Sequence, residues 1–282
     1  MRTIIIPTDF SETAMNAIRY SMELFKYEKS KFIVTNAFAD EVYENTMEMD
    51  REFFEEYRDK VESATDRLLQ KVVAEMLQIS GNPKHSYHYK PLFESLVDGV
   101  NDLVDKHNAD AVLMGTKGNS NCDDVTFGSQ TLQVIKYVKC PVIAVPVGYH
   151  GHPLKNILFP TDYMLPFKRR ELKLVSTLAA RFASMVHFLH ISEAKELSHR
   201  QKDNKAIASC SFQENQVSHI RVPGKDITQA INKTMTASSV DMLVMVNQRH
   251  SYLENILYRS TIEKIGLDIK IPFLVLQNLQ RH

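Results

Sequence analysis

Short apolar runs alternate along the chain with apolar stripes at helical spacing. Residues 2–9, RTIIIPTD, read as a buried strand ending in a turn. Ala14, Ala17, Ile18, Met22 and Phe25 then recur three and four apart, which predicts a helix to Lys26 with Ser11 as its N-cap. Phe32–Phe38 is a second strand. From Asp40 to Ile79 the pattern predicts one long, heavily charged helical segment. Its first part is acidic and solvated (Glu41, Glu44, Glu48, Asp50, Glu52, Glu55, Glu56), and its second carries Val61, Leu68, Leu69, Val72 and Met76 as a core stripe. Gly81-Asn82-Pro83 ends it. His85–Tyr89 alternates as a third strand, and Leu92–His107 is amphipathic through Leu96, Val100, Leu103 and Val104. A fourth strand (Ala111–Met114), a helix (Gln130–Val138) and a fifth strand (Val142–Val145) follow.

Alternation of this kind implies parallel strands with helices on both faces. In such an open sheet, ligands bind at the carboxyl ends of strands where the winding direction reverses. The strand ends richest in ligand-competent residues are Pro7-Thr8-Asp9 and Met114-Gly115. Strands one and four are therefore expected to lie side by side and to bracket a pocket.

After Tyr149-His150-Gly151-His152-Pro153, a linker punctuated by Gly and Pro, the pattern repeats. Residues 156–172 match 3–19, with Pro160-Thr161-Asp162 on Pro7-Thr8-Asp9. Val186–Ile191 matches the second strand, and residues 241–277 lie on 110–146 at a constant offset of 131. The long acidic helix has no full counterpart in Ser192–Val217. The expected division is a domain over 1–148, a linker over 149–154 and a second domain over 155–282.

The chemistry concentrates between Asp110 and Pro146. Gly115 and Gly118 follow the fourth strand, and Gly128-Ser129-Gln130-Thr131 opens the next helix. Glycines admit a ligand close to the backbone, and a helix start carrying hydroxyls is a ready anion site. A phosphate-bearing ligand is the expectation. At the same offset Gly115 becomes Val246, Gly118 becomes Arg249 and Gly128 becomes Arg259, while Ser129 survives as Ser260. Side chains there would fill the cleft, so the first half is expected to bind ligand and the second to have lost that site.

Composition narrows the setting. The chain has 282 residues, 44% hydrophobic and 24% charged, as in an ordinary globular protein. No apolar run is long enough to span a membrane, and the start is a strand rather than a secretory leader. Three scattered cysteines fit a reducing cytoplasm. Net charge is zero, but residues 1–150 sum to −7 and residues 151–282 to +7. The halves could attract each other, or the basic half could meet an acidic partner. No basic stripe with interleaved aromatics points to nucleic acid.

Plainer roles stand beside the sharper ones. Asp9 can act as a turn former or cap, and Asp162 persists without the glycines. Lys117 can neutralise phosphate or simply be solvated. Cys122 beside Asp123 and Asp124 is a poor thiolate, and Cys140 before proline reads as a buried small residue. His85 and His88, like His187 and His190, fall on opposite faces of a strand and make poor joint metal ligands. No residue is placed to activate Ser129, and no lysine follows the last glycine as in a P-loop. Neither catalytic residues nor a metal site are therefore expected.

The run IIIPTDFSETAMNA, the spacing Gly115-x2-Gly118-x9-Gly128-Ser129, the terminal Cys-Pro-Val and the tandem repeat together resemble the universal stress protein family in its two-domain form. The resemblance implies two Rossmann-like α/β domains (adenine nucleotide alpha hydrolase-like), each a five-stranded parallel sheet flanked by helices. It implies ATP as the ligand of the first domain. Asp9 would contact ribose or adenine, with Pro7 and Thr8 shaping the turn, and Ala37 would offer its backbone to adenine. Met114 and Gly115 would lie along the nucleotide, and Gly118, Gly128, Ser129, Gln130 and Thr131 would hold the phosphates. Asp123 and Asp124 depart from the pattern: like charge there would weaken phosphate binding unless a divalent cation such as Mg intervenes. Val142–Val145 and Phe273–Leu276 would pair within one chain or build a homodimer. Asn36 departs from the family's usual histidine, which His190 keeps. The implied function is a cytoplasmic ATP-binding stress-response module acting on a protein partner, not an enzyme. A nucleotide-independent interaction protein and a weak ATPase are the alternatives.

Overall fold

Ile4, Ile5 and Ile6 have no exposed surface, as expected of a strand covered on both faces. The computed structural model describes residues 1–117, 127–151, 153–164, 166–167, 169–212, 214–247, 251–253, 256, 267 and 269–278. These divide into two compact units: residues 1–117 with 128–142, and Phe127 with the described residues from 143 onward.

The first unit runs β1 (Arg2–Pro7), α1 (Glu12–Leu24), β2 (Ser30–Ala37), α2 (Ala39–Thr46), α3 (Arg51–Ile79), β3 (His85–Leu92), α4 (Leu96–His107), β4 (Ala111–Gly115) and α5 (Ser129–Tyr137). Its strands are parallel in the order β3-β2-β1-β4. Ile4 lies opposite Ala111 and Ile5 opposite Val112, so β1 and β4 are neighbours at the point where the winding reverses. Ser11 caps α1 by accepting from the Ala14 N–H at 3.1 Å, as the sequence predicts. β5 (Val142–Val145) follows Cys140, which is fully buried.

Three expectations need correction. The segment 40–79 is two helices. Asp50, expected as a solvated helical acid, accepts from the Phe53 N–H at 2.9 Å and starts α3 as its N-cap. Leu68 is 39% exposed, whereas Leu69 is wholly buried; the buried face of α3 is Val61, Thr65, Leu69, Val72 and Met76, and Leu68 stands one position off it. Leu92 ends β3, and α4 begins only after its N-cap Ser95. Phe38, Val42 and Val61, with Phe54, Tyr57 and Phe93 beside them, pack the α2–α3 elbow against the end of β2.

The second unit runs β6 (Asn156–Pro160), α6 (Arg169–Phe182), β7 (Met185–Ile191), α7 (His199–Cys210), β8 (Gln216–Val222), α8 (Ile227–Ala237), β9 (Met242–Asn247) and β10 (Phe273–Gln277). Its parallel strands follow the order β10-β9-β6-β7-β8. The same tether recurs in both units. Asp110 accepts from the Thr3 N–H at 2.9 Å, and Asp241 from the N–H groups of Lys155 and Asn156, each at 2.8 Å. Among the described residues no helix is long and apolar enough to cross a membrane.

Candidate functional site

The turn after β1 is held by its own side chains. The Thr8 N–H donates to the Thr35 carbonyl at 2.8 Å, and Thr8 Oγ1 accepts from the Phe10 N–H at 3.0 Å. Asp9 Oδ1 accepts from the Ser11 N–H at 3.1 Å and from its hydroxyl at 2.5 Å. Asp9 is thus a turn former, whatever else it meets. Phe10 is left at φ 63°, a left-handed conformation that costs a bulky residue about 1 kcal/mol or more. The Asn36 amide donates to the Thr8 carbonyl at 2.8 Å and fixes the turn from β2.

The other wall comes from β4 and α5. The Gly128 N–H donates to the Thr116 carbonyl at 2.8 Å, and the Thr131 hydroxyl to the Gly115 carbonyl at 3.0 Å. These bonds bring the start of α5 back to the end of β4. Gly128 is the N-cap of α5 and offers no side-chain acceptor, so the first N–H groups of the helix are left for solvent or a ligand. Gly115 answers to packing as well as to any ligand: a Cβ on it would stand 2.8 Å from Thr13 Cγ2 and 3.3 Å from the Lys117 carbonyl oxygen.

Between these walls lies a cavity of about 330 Å³, within the range of small-molecule sites. Pro7, Thr8, Asp9, Ala37, Met114, Gly115, Gly128, Ser129, Gln130 and Thr131 all border it. Gly118, Cys122, Asp123 and Asp124 lie outside the described residues. Ala14, Asn36, Asp40, Leu96 and Lys117 complete the lining. Periodicity alone assigned Ala14 and Leu96 to helix cores, and Asp40 to the edge of an acidic run. Each stands in the first turn of a helix that begins at a strand end, and that position was the available signal.

The second unit builds the same turn. The Thr161 N–H donates to the Leu189 carbonyl at 2.8 Å, Thr161 Oγ1 accepts from the Tyr163 N–H at 3.1 Å, and Tyr163 sits at φ 55°. His190 Nδ1 bonds the Thr161 carbonyl at 3.0 Å, the task Asn36 performs in the first unit. Between the ends of β6 and β9 the cleft is nearly gone. About 30 Å³ remains beside Thr161, Asp162, Val246 and Tyr252, roughly a single water's share of the liquid. The Tyr252 hydroxyl donates to the Ile191 carbonyl at 2.8 Å, and Ile191 occupies the place of Ala37. Burial, with Asp162 second, pushes the Tyr252 phenol up to about 12. Burial also raises the Asp162 carboxyl, against the pull of the Met164 N–H and of His190.

Parallel strands flanked by helices, with a cavity at the β1–β4 switch point, define a Rossmann-like class of α/β fold. The family model described as the universal stress protein family matches residues 1–146, and the chain belongs to that family. It is 25% identical over 155 residues to the universal stress protein MJ0531 of Methanocaldococcus jannaschii, covering 51% of this chain and 81% of that one. In fold it is similar to a universal stress protein from Archaeoglobus fulgidus, at TM-score 0.69 and 15% identity, over 98% of this chain and 96% of that chain. A Pseudomonas aeruginosa PAO1 protein of unknown function gives TM-score 0.55 at 11% identity, over 98% and 92%.

Proposed function

We propose that the first unit binds ATP in the 330 Å³ cavity and serves as the sensing half of a cytoplasmic stress-response module. One observation carries the reading: the turn after β1 and the uncapped start of α5 open into the same cavity. Adenine and ribose go to the Asp9, Asn36 and Ala37 side, and the phosphates to the N–H groups around Gly128, Ser129 and Gln130. Thr131 positions this wall, since its buried hydroxyl is committed to Gly115. Mg accompanies the nucleotide and offsets the charge of its phosphates. Binding shifts the start of α5 and the surface a protein partner reads, so the output is conformational rather than catalytic.

Thermal unfolding with and without Mg-ATP tests the reading. A ligand held by the native state alone raises the midpoint with concentration. We expect that rise, and its loss in Gly128→Arg, which copies Arg259 and brings a side chain to the helix start. An unchanged midpoint at millimolar Mg-ATP would overturn it. Nucleotide detected by mass spectrometry on freshly purified protein would identify the base.

A further inference from the structure

The second unit holds another cavity, of about 150 Å³, toward the carboxyl ends of β7 and β8. It shares no lining residue with the small remnant beside Tyr252. Its floor is aromatic and closely held. Tyr163 is 2% exposed and His190 6%. The Tyr163 hydroxyl bonds His219 Nδ1 at 3.0 Å, and His219 stacks on Phe188 with centroids 5.4 Å apart. The Tyr163 and His190 rings lie 5.6 Å apart.

His190 supplies a specific polar atom. A carbonyl only accepts, so Nδ1 carries the proton in its bond to Thr161. In the tautomer with its proton on Nδ1, Nε2 is an acceptor, and no described residue meets it although the ring borders the cavity. The rim is cationic. Lys195 comes from the loop after β7 and Lys205 from α7, with Glu196 the one carboxylate of the lining. Both elements are fixed. Arg221 donates to the Ala194 carbonyl at 2.6 Å and holds the loop. Next to Lys205, the buried Asn204 amide donates to the Tyr163 carbonyl at 2.8 Å. Burial first, and Lys205 second, lower the His219 pKa.

The repeat shows what this place is. His190 stands where Asn36 does and Ala194 where Asp40 does, and both of those border the first unit's cavity. Tyr252 has filled the remainder. The second unit keeps one end of the ancestral cleft, exchanges Asp40 for a neutral residue and adds two lysines.

We propose that this cavity binds a small planar organic anion: one aromatic ring with a carboxylate for Lys195 and Lys205 and a hydroxyl or N–H for His190 Nε2. A cavity of about 150 Å³ accommodates a single benzene-sized ring. The rings of Tyr163, His190 and His219, the latter two tilted by 37° and 54° from Tyr163, provide the aromatic contact, and the cations at the mouth select the charge. The proposal stands whether or not the first unit binds nucleotide.

The probe is 4-hydroxybenzoate, titrated into the isotope-labelled full chain at physiological salt and followed by heteronuclear NMR. We expect saturable shifts confined to residues around His190, Leu197 and His219. Binding should weaken about tenfold for 4-hydroxybenzyl alcohol, which lacks the charge, and for cyclohexanecarboxylate, which lacks the flat ring. Lys195→Ser with Lys205→Ser should weaken it about tenfold. His190→Asn, which copies Asn36 and keeps a donor to the Thr161 carbonyl, should do the same while the chain stays folded. No saturable shift at millimolar probe, shifts elsewhere, or equal affinity in these variants would overturn the proposal.

Discussion

Gly115 carries a packing demand that its spacing did not show. The glycine pattern pointed to a ligand at the backbone; the contact with Thr13 Cγ2 appears only once α1 is packed beside β4. Gly115→Ala should cost about 1–3 kcal/mol in chemical denaturation, as overpacking does. Adding Thr13→Ser removes Cγ2 and should recover part of that loss. An undiminished stability in the single variant would contradict the packing role. Tyr252 is the opposite case: nothing in its neighbourhood marked it as a plug, because the bond to Ile191 joins residues 61 apart. Its phenol is raised from the ordinary 10.0 to about 12. The folded chain therefore keeps a proton that the unfolded chain releases, so this contribution is whole below pH 10.0 and is lost as pH rises through about 12. Tyr252→Phe should flatten the fall of urea-measured stability across that window. Burial raises the Tyr163 phenol too, so some slope remains. An identical pH profile in the variant would contradict the assignment.

Elements were legible where a strong period or a cap stood alone. The triple isoleucine of β1, the Ser11 cap and the alternation into β3 all declared themselves. The α2–α3 break did not, because Asp50 lies in a run of acids and looks like one more solvated carboxylate until its bond to the Phe53 N–H is seen. Leu68 and Leu69 carry the same lesson: adjacent leucines cannot both face a core across a helix, and only the packed sheet chooses. Leu69→Ala should cost about 2–5 kcal/mol and Leu68→Ala less than about 0.5 kcal/mol. Urea midpoints of the two variants check this, and equal losses would contradict the assigned face. At the elbow, Tyr43, Met47, Met49 and Phe53 are exposed among acids, on the segment with no full counterpart in the second unit.

The molecule carries its own control. Both units build the same Thr-anchored turn with a left-handed aromatic, so that geometry belongs to the fold and does not by itself announce a ligand. What differs is the space beyond it: one cavity of about 330 Å³ in the first unit, and in the second about 30 Å³ beside Tyr252 and about 150 Å³ toward the ends of β7 and β8. The loss of glycines at Val246, Arg249 and Arg259 made that asymmetry readable in the chain. The plug itself and the second unit's 150 Å³ cavity required the packed side chains. We propose one nucleotide site per chain, in the first unit. Isothermal titration of the full chain with Mg-ATP tests it most directly. A single site gives saturable binding at one equivalent, abolished by Gly128→Arg; two equivalents, or undiminished binding in that variant, would rule it out.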